Sequence, residues 1–320
     1  MCDSCFYGPY ASLRAKLDFT YHANYTEERQ SDQDKLVTEV LSSGVPSDKP
    51  WIVYTAGAMG VGKSWTMRWL QRNGYFPLNY FVHIDPDALK CMLPEMETYI
   101  KQNPEMAATL THKESGYIAE VAEAAALANS FHVLVDGSLR DADWYIGVFK
   151  RIREQYPHYR IGILHVIAAP AKVYRRAEKR SRKTGRVVPK HVLDASIFSV
   201  PRSVQQLAPY ADFVAEVNLD RGTPCPLTMP WAQLQAAFAS VTEDAVAAGR
   251  ASASSAAAGM DDDDEFDDDE EEEGGSGGGE AADSAPGGQA PASGAEAVPG
   301  PSDHVEGGAV ETPAKRARHS

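Results

Sequence analysis

Residues Gly57-Ala58-Met59-Gly60-Val61-Gly62-Lys63-Ser64 match the pattern G-x-x-x-x-G-K-[ST] at every fixed position. The flanks give the match its weight. An apolar stretch with β-branched residues, Trp51-Ile52-Val53-Tyr54-Thr55, precedes it, and a segment with Trp65, Trp69 and Leu70 at helical spacing follows, closed by Asn73-Gly74. Strand, loop, helix is the setting the pattern needs in order to mean anything. Gly57, Gly60 and Gly62 let backbone N–H groups turn inward onto phosphate oxygens at a helix N-terminus, where the dipole favours negative charge. In such a loop Lys63 reaches the β and γ phosphates of a nucleotide and the Ser64 hydroxyl ligates Mg²⁺.

Composition confines the folded part. Residues 251–320 hold 18 Asp/Glu against 3 Lys/Arg, whereas residues 1–250 carry 28 basic and 27 acidic side chains, a net of +1. The formal charge of −14 therefore belongs to the tail, and the folded part is near neutral. One globular domain is the better count, because pattern is lost after about residue 222. Residues 250–314 are Ala, Gly, Ser, Pro, Asp and Glu with almost no apolar bulk, a composition that predicts a disordered acidic tail. Its block Asp261 to Glu273, interrupted only by Phe266, suits basic protein partners. The four cysteines (Cys2, Cys5, Cys91, Cys225) are too scattered for a disulfide framework, and no signal peptide or run of 18 apolar residues occurs. These features predict an intracellular, cytoplasmic setting without a membrane partner; Lys315-Arg316-Ala317-Arg318 also fits a nuclear-import signal. Cys2-Asp3-Ser4-Cys5 is half a zinc site with no second pair to complete it.

In chain order, residues 1–49 read as a mostly helical N-terminal extension whose apolar stripe is Leu36, Val37, Val40 and Leu41, with Phe19, Tyr21, His22 and Tyr25 packing it onto the core or lining a pocket. The domain proper spans 50–220. Strand Tyr80 to Ile84 ends in Asp85-Pro86-Asp87, two carboxylates where parallel sheets place ligands, with helix capping by Asp85 or Asp87 as the competing reading. A helix over 111–129 carries Glu114, Glu120 and Glu123 on its surface. Strand Phe131 to Val135 closes on Asp136-Gly137-Ser138-Leu139-Arg140, the kind of strand end that supplies a Mg²⁺-holding carboxylate. Lys172 to Lys190 holds nine basic residues and the one acid Glu178, a density that suits an arginine lid over phosphates; a nucleic-acid patch is the competing and less economical reading. Residues 221–249 read as a linker, Pro224 to Met229, followed by one amphipathic helix, Trp231 to Ala247.

Strands alternating with helices behind a phosphate loop predict an α/β fold of the P-loop kinase type, a parallel sheet of about five strands flanked by helices. No N-K-x-D-like guanine reader occurs, which favours ATP over GTP. The order of features over roughly residues 50–220 resembles the zeta-toxin family of P-loop small-molecule kinases, which in bacteria phosphorylate a hydroxyl of UDP-N-acetylglucosamine. The resemblance implies that Gly57 to Ser64 hold ATP, that Asp87 of Ile84-Asp85-Pro86-Asp87 is the catalytic aspartate, and that Arg180 and Arg186 clamp phosphate, with Arg176 or Arg182 as alternatives to Arg180. It places Glu120, Asp136, Ser138 and Arg140 at the acceptor, and with Ser64 it gives Asp136 to Mg²⁺. Asp136 and Ser138 stand where the bacterial family has Glu and Thr, which bears on the sugar-nucleotide acceptor more than on the kinase chemistry. A polynucleotide or nucleoside kinase, and a nucleotide-dependent binding module with a partner-recruiting tail, are the rival readings.

Overall fold

All six residues of the strand before the loop are buried, and the fold follows from what that burial demands. The computed structural model describes residues 5–184 and 188–250. Helices α1 (Ala11–Arg14) and α2 (Glu27–Leu41) precede strand β1 (Trp51–Ala56), after which come α3 (Lys63–Arg72), β2 (Val82–Ile84), α4 (Pro86–Met92), α5 (Met96–Gln102) and the 25-residue α6 (Pro104–Ala128). Then follow β3 (Val133–Val135), α7 (Ala142–Gln155), β4 (Arg160–Ile167), α8 (Pro170–Thr184), α9 (Lys190–Leu207), β5 (Phe213–Asn218), β6 (Cys225–Pro226), α10 (Trp231–Ala237) and α11 (Ala239–Ala247).

The strands form one sheet in the order β2-β3-β1-β4-β5-β6, parallel except for the antiparallel β6. Side chains alternate across β1: Ile52, Tyr54 and Ala56 enter the larger core with α4, α6, α7 and α9, while Trp51 and Val53 enter the other with α3, α10 and α11. A strand covered on both faces reads as a continuous apolar run, as Trp51 to Ala56 does. The chain leaves β1 first towards β3 and β2, then returns to β4 and β5 on the other side. That reversal opens a crevice at the carboxyl end of β1, the usual ligand position in such sheets.

Both flanks pack onto the sheet domain. The N-terminal extension is helical in α1 and α2 and lies on the core as its aromatic residues suggested: Phe19 and Tyr25 stand against Tyr117, Val37 is fully buried in the larger core, and Arg29 donates to Glu95 and Glu114 at 2.6–2.9 Å, tying α2 to α6 and the turn before α5. Residues 221–249 likewise join the domain. The stretch read as a linker contains β6, a sixth strand too short for any periodic signal, and the single expected helix breaks at Phe238, whose ring is buried against Trp51, Phe76 and Phe213. The acidic tail and Lys315–Arg318 lie outside the described residues. Among the described residues no helix is long and apolar enough to cross a membrane.

His132 joins these parts. Its Nδ1 accepts the Trp51 N–H at 3.1 Å and its Nε2 lies 3.2 Å from Asp244 Oδ2 on α11. Burial pushes the imidazole down to about 4, against the pull of Asp244. An unfolded chain takes up this proton near pH 6.5 and the folded one only near pH 4, so stability is full above the upper value and falls between them as pH drops. Urea unfolding should lose up to about 3 kcal/mol over that window through this group, and a His132→Asn variant, less stable at neutral pH, should show a correspondingly flatter profile.

Candidate active site

Gly62 begins the site by starting α3 in the left-handed region at φ +106°, a conformation that costs a glycine little. Gly60 serves by its lack of a side chain: a Cβ there would sit 3.2 Å from Ala177 Cβ and from the Val173 carbonyl of α8. Helix α8 therefore rides directly on the loop. Arg176 fastens it, donating to Val61 O at 3.0 Å and Leu219 O at 3.3 Å. This makes Arg176 a tie between loop, α8 and the end of β5, and leaves Arg180, one turn on, exposed beside the loop. Arg186 lies outside the described residues.

Lys63 opens α3 with its Nζ 3.4 Å from Gly57 O. Burial lowers its proton affinity and Arg180 adds to that, while Asp136, Asp87 and Asp85 oppose it. Lys63 thus shares one electrostatic neighbourhood with three carboxylates and Arg180. Ser64 Oγ donates to Asp136 Oδ2 at 3.3 Å, and Thr55 at the end of β1 donates to Asp136 Oδ1 at 2.7 Å. Asp136 is held at the end of β3 by two hydroxyls from either side of the loop. The next turn is strained: Leu139 is a buried non-glycine residue at φ +53°, a conformation costing roughly 1 kcal/mol or more. It follows Ser138, whose carbonyl accepts Gly57 N–H at 3.3 Å, and precedes Arg140, which emerges exposed.

Asp85 caps α4, its Oδ1 accepting from the N–H groups of Asp87 (2.8 Å) and Ala88 (3.2 Å), with Pro86 at the first helical position. The capping reading therefore holds for Asp85, and the cap sets Asp87 in the first turn of the helix. Asp85 does more than cap. Ligand atoms of His83, Asp85 and Asp136 lie within 4.8 Å of one another, and burial, then the Asp136 charge, push the Asp85 carboxyl up. Two carboxylates brought this close suit a divalent cation. Asp85, Asp136 and Ser64 are hard oxygen donors of the kind Mg²⁺ takes, whereas the His83 nitrogen is not.

Sequence reasoning missed Lys90. It is 7 % exposed, and its Nζ donates to Asp87 Oδ1 at 2.8 Å. The i, i+3 spacing from Asp87 was the available signal, but helical spacing does not tell a surface pair from a buried one. On α6, His112 stands near Lys90, Asp87 and Arg140; burial and then the Lys90 charge lower its proton affinity. Of the three α6 glutamates expected on the surface, Glu114 is held by Arg29 and Gln33. Glu123 is half-buried beside Tyr54 and Tyr145, its carboxyl pushed up to about 7 by burial and by the charge of Glu120. Helix α6 packs its middle turns inward, which the apolar stripe alone did not reveal.

Comparison with known proteins follows this geometry. The family model described as Zeta toxin matches residues 35–223, more than half of the chain. The solved PezAT chromosomal toxin–antitoxin system of Streptococcus pneumoniae is similar at a TM-score of 0.53 and 15% identity, over 71% of this chain and 96% of that one. The AvrRxo1-ORF1:AvrRxo1-ORF2 complex with ATP aligns at 0.48 and 14% identity, covering 74% of this chain and 77% of that one. A putative kinase from Chloroflexus aurantiacus aligns at 0.43 and 11%, covering 60% and 98%. At these identities the likeness to PezAT concerns the fold. No curated protein matches the chain.

The Asp87–Lys90 pair is testable without any substrate. Asp87→Asn leaves a buried ammonium without its counter-charge and should cost about 1–2 kcal/mol, less than a fully buried pair because Asp87 is half exposed. Adding Lys90→Met to that variant should recover most of the loss in chemical denaturation, whereas two independent sites would give additive losses.

Proposed function

The chain belongs to the Zeta toxin family, and from that premise we propose that it is an ATP-dependent kinase that transfers the γ-phosphoryl group to a hydroxyl of a small-molecule acceptor, UDP-sugars being one class to test. One observation supports the reading: Ser64 of the loop donates to the strand-end carboxylate Asp136, and Lys63 is coupled electrostatically to Asp136 and to the half-exposed first-turn carboxylate Asp87. A nucleotide-binding module has no need of Asp87 there. A kinase does, to orient and deprotonate an attacking hydroxyl.

In this reading the loop N–H groups and Lys63 hold the β and γ phosphates. Ser64, Asp136 and Asp85 supply the oxygens for Mg²⁺, which when bound neutralises phosphate charge. Asp87 receives the acceptor's hydroxyl proton as that oxygen bonds to the γ-phosphorus and the bond to the β–γ bridging oxygen breaks, releasing ADP. Arg180 faces the same charge from α8, and Arg186 is assigned to it on the resemblance alone. Arg140, exposed beside the strained turn, and Ser138 stand on the acceptor side, as does Glu120 further along α6. Engagement of Arg176 by the Val61 and Leu219 carbonyls supports Arg180 over it for the clamp.

The test is ADP formation against UDP-sugars, nucleosides and 5′-hydroxyl oligonucleotides, with product identified by mass. Asp87→Asn should lower kcat by about 10²-fold or more with KM for ATP little changed. Lys63→Ala should abolish ATP binding with the fold intact by circular dichroism, and Asp136→Asn should raise the Mg²⁺ concentration needed for half-maximal turnover. Phosphorylation of the oligonucleotide alone would replace the small-molecule reading with a polynucleotide kinase; full turnover in Asp87→Asn would remove the base from its assigned place.

A further inference from the structure

The segment that precedes the family match reaches the acceptor side of the site. Residues 5–34 lie outside the matched region 35–223, yet His22 places its Nε2 3.1 Å from Glu120 Oε2 on α6. The contact is built rather than incidental. The His22 side chain is 1 % exposed and its ring lies between those of Tyr21 and Tyr117, with centroids 5.0 and 5.3 Å away, both edge-on. Its buried Nδ1 has no hydrogen-bond partner. A lone pair left there costs less than an N–H, so the tautomer that fits carries its hydrogen on Nε2 and donates to Glu120. The segment itself is anchored at two further points: buried Arg14 pairs with Asp34 at 2.6 Å and donates to the Tyr7 and Gln30 carbonyls, and Gln30 returns bonds to Tyr7, Cys5 and Tyr25.

Glu120 keeps 42 % of its side chain exposed, so a carboxylate fixed on one oxygen by His22 still faces solvent. Between it and the Asp87–Lys90 pair runs one face of α6, marked by His112, Gly116 and Glu120 at four-residue spacing. Gly116 sits in mid-helix, where glycine is disfavoured relative to alanine, and a Cβ added there would meet nothing within 4 Å. No packing constraint requires that glycine. It leaves the helix face bare between the two ends, and eight residues of helix span roughly 12 Å.

We propose that His22, from the N-terminal segment, is a specificity-determining residue for an acceptor laid along this face of α6. The reading rests on the kinase function above. The acceptor presents its reacting hydroxyl at Asp87 and extends along α6, so that a donor group at its far end meets the Glu120 oxygen that His22 leaves open. His22 acts through Glu120; it is a positioning residue and touches no reacting atom.

The test compares wild type, His22→Ala and His22→Gln, using whichever panel acceptor gives the fastest ADP formation, with KM measured separately for acceptor and ATP. His22→Ala should raise the acceptor KM about tenfold, the size of one lost charge-assisted contact, with KM for ATP within about twofold. His22→Gln, whose side-chain N–H can replace Nε2–H, should restore most of the loss. Gly116→Leu, which fills the bare face with a good helix former, should raise the acceptor KM without lowering the melting temperature. Changes of less than about twofold in the acceptor KM for both His22→Ala and Gly116→Leu would overturn the inference, as would equal losses for acceptor and ATP, the mark of a merely structural role. If wild type forms no ADP with any acceptor, the kinase reading falls and this inference with it; if it turns over and the variants do not discriminate, the inference falls alone.

Discussion

Strand β1 can exist only if every backbone group from Trp51 to Ala56 is paired along both edges and every side chain is covered on both faces, because all six residues are buried. The flanking strands β3 and β4 meet the first demand, in registers that run Ile52↔Val133 and Trp51↔Arg160. The two apolar clusters meet the second. Once β1 is enclosed in this way, its carboxyl end is where its neighbours diverge, and the phosphate loop has one place to go. The N-terminal helices and the helices after β5 are held to the same requirement: the first group covers one face of the sheet and the second covers the other.

Electrostatics at that end are deliberately unbalanced. Asp85 and Asp136 face each other closely enough to raise the Asp85 carboxyl, while burial and Arg180 depress the Lys63 ammonium. Among the described residues neither carboxylate has a bidentate partner of the kind Arg29 provides to Glu95 and Glu114. Lys90 differs from both: it is a buried ammonium that donates to one oxygen of Asp87.

Much of this was legible in residue order. The loop, the strand ends carrying Asp85, Asp87 and Asp136, the N-cap role of Asp85 and the basic α8 each depend on neighbours within a few positions, and local chemistry is what sequence encodes most directly. What escaped was long-range or sub-threshold. Two-residue β6 exists only because β5 offers it an edge. Phe238 breaks the last helix because its ring belongs with Trp51, some 187 positions away. Glu123 and Lys90 look like ordinary helix-surface charges until α6 and α4 are packed together. Arg176 and Arg180 are interchangeable on a helical wheel, and only the closeness of Gly60 to α8 separates the tie from the exposed arginine.

By itself the sequence determined the class of chemistry: a glycine loop ending in Lys63 and Ser64 has few uses other than holding phosphate, and the carboxylates that follow it are spaced by strand and turn geometry that the chain cannot avoid. The tertiary structure alone decided which distant side chains meet. His22 and Glu120 are 98 positions apart, and no periodicity links them; they meet because aromatic packing against Tyr117 and the Arg14–Asp34 pair fold the N-terminal segment onto α6. Proximity of that kind is set by the burial of apolar surface across the whole domain, and residue order specifies it only through the finished fold.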